Sequence, residues 1–172
     1  MKPSKRPWSS CALLMALACA AAYAVSARAE APHAPPPQEG TAFAARVDGY
    51  MRQAGYDYHR VKPNSWFINM KGKELPQIRI LVGAGSNSIA VGAVVVPKAR
   101  LRVTAEALDR MMKLSYDFNY VRACIDTDGD LIVLSQVKDK WLDQQEFGST
   151  VERVSAAADR AYAGMRPFLG TP

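Results

Sequence analysis

The chain has 172 residues, with 22 Lys and Arg against 16 Asp and Glu, three cysteines, two histidines and a net charge of +6. So few cysteines exclude a disulfide-stapled scaffold, and two histidines leave little for a His- and Cys-ligated zinc centre. Four of the cations, Lys2, Lys5, Arg6 and Arg28, precede Glu30; the remainder is close to +2 with scattered Lys and Arg, which argues against a nucleic-acid partner.

The N-terminus reads as a secretory leader. A basic start gives way to an uncharged, mostly apolar run from Cys11 to Val25, and Ala27-Arg28-Ala29 places small residues where signal peptidase reads. Cleavage is expected after Ala29, which makes 1–29 a signal peptide and the protein periplasmic or secreted. The apolar run is shorter than the roughly 20 residues of a spanning helix, so no permanent membrane anchor is expected. A lipoprotein would use Cys19, but Ala16 stands where a large aliphatic residue is usual. Residues 30–40, "EAPHAPPPQEG", form a Pro-rich linker, because Pro32, Pro35, Pro36 and Pro37 disfavour helix and ladder pairing. His33 within it reads as solvated. Residues 41–172 are then one domain. Cys11 and Cys19 leave with the leader, so Cys124 stands alone. It reads as a small buried strand residue, with an intermolecular disulfide left open.

Within the domain, Thr41 is placed to cap a helix carrying Phe43, Val47, Met51 and Ala54, which Gly55 ends. Tyr56, Tyr58 and His59 follow as packing at the helix end. Strands are expected over 65–70, 78–83 and 88–96, each bounded by Pro, Gly or Asn. "GAGSNS" between the last two lacks the ending of a P-loop and the third glycine of a dinucleotide fingerprint, so it reads as a hairpin turn. Thr104 caps a second helix with an apolar stripe of Leu108, Met111, Leu114 and Phe118, widened by Met112. A last helix starts at Ser149, which has capping-box spacing to Glu152, and runs through Val151, Val154, Ala158, Ala161, Tyr162 and Met165. The order α-β-β-β-α-β-β-α, with short hairpin connections, predicts an α+β fold: an antiparallel five-stranded sheet packed with helices.

Between the last two helices lies "CIDTDGDLIVLSQV", residues 124–137. Asp126, Asp128 and Asp130 imitate the first acidic positions of a calcium loop, but glycine falls early and Val137 stands where a bidentate glutamate belongs. A hairpin fits better, with Asp128-Gly129 as a two-residue turn. Thr127 then faces Asp130, Ile125 faces Ile132 and Ala123 faces Leu134.

From "LDRMMKLSYDFNYVRACIDTDGDLIVLSQV" to "AAADRAYAGMRPFL" the chain resembles the YbjN family, whose fold is shared with type III secretion chaperones. Asn119, the Asp128-Gly129 turn and the alanine-rich stretch 156–165 occupy the family's corresponding places. Ser115 stands where the family's first asparagine is expected. The resemblance implies a secretion-chaperone-like fold and a regulatory or chaperone-like role, and it brings no catalytic residues.

The residues themselves offer little chemistry. A Ser-His-Asp triad would have to use His59, without a nucleophile elbow beside it, and a Cys-His pair would have to join it to Cys124. We therefore expect no enzyme, no cofactor and no metal site, and nominate no catalytic or cofactor-binding residue. The expected function is an exported, non-catalytic protein-binding or chaperone-like module of the bacterial envelope, with a protein or peptide partner. The alternative is a periplasmic protein that binds a small ligand or calcium. Trp66, Trp141 and Phe147 are the aromatic candidates for contact, Trp66 and Phe147 being equally readable as core. Monomer or homodimer is left open.

Overall fold

The computed structural model describes residues 39–170, so the expected leader and residues 30–38 of the linker lie outside the described residues. Glu39 and Gly40, placed in the linker by the sequence, are already helical. No described helix is long and apolar enough to cross a membrane.

Helix α1 (Glu39–Ala54) ends where Gly55 takes a positive φ of 67°, a conformation glycine adopts without Cβ strain. Strands β1 (Tyr58–Lys62), β2 (Ser65–Met70), β3 (Ile78–Ala84) and β4 (Ser88–Val96) then follow as an antiparallel meander. Helix α2 (Ala105–Asp117) begins under the expected cap, the Thr104 hydroxyl accepting from Ala107 N–H at 3.2 Å. Strands β5 (Arg122–Ile125) and β6 (Leu131–Lys138) form the second hairpin, and α3 (Gln144–Met165) closes the domain. The sheet order is β1-β2-β3-β4-β6-β5, with β6 pairing antiparallel to β4.

The α+β class and the antiparallel sheet are as expected, but the described residues form six strands where the sequence predicts five. The extra one is β1, "YHRVK". It pairs only with β2 and leaves four of its five residues exposed, so it carries no apolar alternation. The other differences concern helix ends and faces. Helix α3 starts at Gln144, five residues before Ser149, because Asp143 caps it by accepting from Glu146 N–H at 2.7 Å. Asp143 and Glu146 have the same spacing as the pair 149/152, which lies inside the helix. On α2 the inward stripe is Ala107, Met111 and Leu114, continued by Phe118 just past the helix end, while Leu108 and Met112 point to solvent.

Pleat alternation decides what faces the helices. Trp66, Ile68, Ile80, Val82, Ile89, Val91, Leu131 and Val133 are fully buried there, each burial being worth about 1.5–3 kcal/mol. Phe147 on α3 is fully buried between Tyr50 and Tyr56, with ring centroids at 5.9 and 6.3 Å. Burial, and then the negative charge of Glu152, raise the Tyr56 phenol above its ordinary value. Trp66 and Phe147 are thus core residues and unavailable for contact. Only Trp141 of the three aromatic candidates is exposed.

The loop joining β2 to β3 is pinned to α3. Asp159 accepts from the backbone N–H groups of Glu74 and Leu75, both at 2.8 Å. Desolvation alone would raise its pKa, but bonds from Leu75, Glu74 and Lys73 N–H and the Lys73 charge outweigh that and lower it. A carboxylate with a depressed folded pKa stabilises the fold above its unfolded pKa, and the benefit fades as pH falls through the folded value. Asp159→Ala should cost about 1 kcal/mol at neutral pH in denaturant unfolding. The gap to the parent chain should shrink once the pH drops below the ordinary carboxylate value of about 3.9.

Candidate functional site: the open face of the sheet

The three α-helices of the described residues pack on one side of the sheet. The other side presents the alternate residues of every strand: polar toward its ends, at Ser65, Asn69, Arg79, Ser88, Gln136 and Lys138, but apolar across the middle, where a water-facing antiparallel sheet is normally polar. One row crosses all six strands as successive cross-strand partners: His59, Phe67, Leu81, Gly92, Leu134 and Arg122. Beside it stand Val94 and its partner Ile132, and on the other flank Gly83 and its partner Ala90. Leu81 and Val94 are 45% and 50% exposed, and Phe67, Ile132 and Leu134 are half-buried. Together they line a trough of about 600 Å³, which a depression of about 400 Å³ adjoins at Leu134, beside Tyr120 and Arg122.

The trough exists because its floor is small. At Gly92 a Cβ would lie 2.9 Å from the Val133 carbonyl and 3.2 Å from Leu134 Cδ1. The bare backbone lets Leu134 lean inward and leaves a dip between it and Leu81. A bulge at Val95 adds to this. The register shifts between Val94 and Val96, so Val95 and Val96 both turn inward while Val94 stays out.

The second hairpin shows why this face was hidden in the sequence. Its register is one residue away from the expected one: Ala123 pairs with Val133, Cys124 with Ile132 and Ile125 with Leu131. The loop is Thr127-Asp128-Gly129, not a two-residue turn. Gly129 (φ 89°) donates to the Asp126 carbonyl at 3.1 Å, and Asp126 N–H donates to the Asp130 carbonyl at 3.0 Å. A one-residue slip moves a whole side-chain set across the sheet. Ile132 and Leu134, expected in the apolar layer with Ile125 and Ala123, therefore stand on the open face with Cys124 and Arg122. Cys124 is half-buried there, not buried. Ser115 has a structural task, its hydroxyl accepting from Ala123 N–H at 3.1 Å to tie β5 to α2.

The aspartates of that loop serve the turn. Asp126 Oδ1 accepts from the N–H groups of Asp128 and Asp130 at 3.0 and 2.9 Å, and Asp130 Oδ1 accepts from Lys98 N–H at 2.7 Å. Among the described residues no three His, Cys, Asp or Glu side chains stand together where they would hold a metal ion. His59 lies on β1 and Cys124 on β5, opposite edges of the sheet, so five strand spacings put them roughly 24 Å apart and no Cys-His pair forms within one chain.

No family model matches the sequence, and no curated protein matches it. Solved structures share the fold. YbjN from E. coli superposes with a TM-score of 0.53 at 16% identity, over 73% of this chain and 93% of that one. A chain of the heterodimeric ExoU–SpcU complex from the type III secretion system of Pseudomonas aeruginosa gives 0.50 at 11%, over 70% and 98%. A chain of the HopA1–SchA chaperone–effector complex gives 0.50 at 11%, over 77% and 99%. The secretion-chaperone-like α+β fold expected from the sequence is the fold found.

Leu81 and Val94 carry little packing duty, so polar substitution there should be tolerated. Leu81→Asp and Val94→Asp should each change unfolding free energy by about 1 kcal/mol or less and reduce binding of an apolar dye. Val82→Asp, one residue from Leu81 but fully buried, should leave the chain unfolded.

Proposed function

We propose that the chain is an exported, non-catalytic, protein-binding module of the bacterial envelope, chaperone-like in that it shields an apolar segment of a partner on its open sheet face. The observation that carries this reading is the uncovered row of Phe67, Leu81 and Leu134 with Val94 and Ile132 beside it. An apolar surface of that kind on a folded domain is a docking surface or a liability. The edges of the sheet are poor alternatives: β1 is bulged and charged, and β5 has only four residues. The fold shared with a chain of a chaperone–effector complex supports the same reading, as does the export leader read in the sequence.

A second copy of the chain is a further partner to consider, at a different place. On α2, Leu108, Met112 and Tyr116 are exposed and recur every fourth residue, an outward stripe suited to helix–helix contact. Should it join two copies, Met112→Glu will turn a dimer into a monomer in a light-scattering measurement of mass.

For the main reading, a photo-crosslinking residue is placed at position 81 or 94, with position 113 on α2 as the control, in the exporting cell. We expect the same protein to be captured from 81 and 94 and not from 113. Capture that is equal at all three positions, or absent at 81 and 94, contradicts docking on this face.

A further inference from the structure

We infer that the open face selects an extended partner segment whose middle is apolar and whose two ends carry carboxylates, one received by Arg79 and the other by Arg122. This inference rests on the docking role of the open face and adds a chemical identity to its occupant.

Charge is the first argument. Side chains on or around the trough are basic at Arg79, Arg122 and Lys138. The acids nearby are Asp126, whose Oδ1 is already held by two backbone N–H groups, and Asp57, which stands 3.9 Å from His59 and accepts at 3.2 Å from Asn69, the cross-strand partner of Arg79. Neither arginine has a carboxylate partner among the described residues; Arg100, Arg102, Arg110 and Arg160 share that lack but stand on helices or in the segment leading to α2, while Arg46, Arg52, Arg60, Arg153 and Arg166 are paired. Arg79 lies over the Phe67 ring, 5.5 Å from its centroid, and Arg122 donates to Gln136 Oε1 at 3.1 Å. Both guanidiniums are exposed and held by neighbours on the sheet, which orients them without neutralising them.

Spacing is the second. Arg79 is on β3 and Arg122 on β5, three strand spacings apart in the order β3-β4-β6-β5; Arg122 lies in the row of Leu81, two residues along from Arg79, so the two stand roughly 16 Å apart on a diagonal. An extended chain covers that distance in about four or five residues at about 3.3 Å each. The diagonal between the two arginines crosses β4 and β6 over Val94, the dip at Gly92, Ile132 and Leu134, so a segment lying along it meets apolar side chains with room for its own backbone at the dip. Apolar contact supplies the hold and the paired arginines supply selectivity, since a cationic end placed at either guanidinium is repelled.

The test uses the full chain and fluorescein-labelled peptides in anisotropy titrations. The probe is Glu-Val-Leu-Val-Glu, whose two Glu and central Leu share one face of an extended chain with the Glu Cα atoms about 13 Å apart, compared with a Lys-ended version of the same core and a Glu-ended version with an all-Ser core. We expect the Glu-ended apolar peptide to bind about ten-fold or more tightly than either control, with the advantage over the Lys-ended one shrinking as NaCl is raised. Arg79→Glu with Arg122→Glu should erase that advantage and leave the melting temperature of these exposed sites nearly unchanged. Equal binding of Glu- and Lys-ended peptides, no binding of any peptide, or no effect of the double substitution overturns the inference. So does self-association broken by Leu81→Asp, which would make the occupant a second copy. Failure here, with site-specific capture from positions 81 and 94 intact, removes the charge rule and leaves the docking face standing. Loss of that capture removes both.

Discussion

The packing of α3 across β4 and β6 is the constraint on which the rest of this structure depends. The helix runs 22 residues, about 33 Å, and turns Val151, Val154, Ala157, Ala158 and Ala161 toward the sheet. The alanines at the contact let it lie close, so the long apolar strands β4 and β6 are sealed from that side. Helix α1 joins it through Phe147, and α2 approaches closely where a Cβ on Gly164 would lie 3.0 Å from Leu114. With every described helix committed to one face, nothing in residues 39–170 covers the other. The open face is a consequence of the core, and its chemistry is a separate fact about the residues that alternate with the core.

That alternation explains how much was legible in the sequence. Strands β2 and β4 could be read to the residue because β-branched and aromatic runs end at proline, glycine or asparagine. The cap of α2 was visible because threonine precedes an amphipathic run. Strand β1 escaped because an edge strand with charged residues has no apolar signature to show. The start of α3 was ambiguous because two capping-box spacings occur within a few residues, and only tertiary packing of Phe147 makes Asp143 the cap. The hairpin register was misread for a related reason. Cys124, Ile125, Leu131, Ile132, Val133 and Leu134 are apolar on both faces, so either register stacks apolar pairs, and the loop length at Gly129 decides between them.

The same ambiguity marks the functional surface. A strand pair apolar on both faces, in a domain with one helical layer, must expose one of those faces. Ile132 and Leu134 on β6, with Val94 on β4 and Leu81 on β3, carry more apolar area than a solvent-facing sheet needs, and they converge on a glycine that cannot bear a side chain without displacing Val133 and Leu134. The aromatic residues that draw the eye in the sequence, Trp66 and Phe147, are core. The surface is instead built from aliphatic residues, which propensity alone does not separate from the interior.

Methyl-resolved NMR of the full chain with a bound partner segment tests the central claim most directly. The account predicts shift changes concentrated at the methyls of Leu81, Val94, Ile132 and Leu134, with Val91, Val154 and Leu108 nearly still. Changes concentrated at Leu108 and Met112 on α2, with the open-face methyls unmoved, would contradict it.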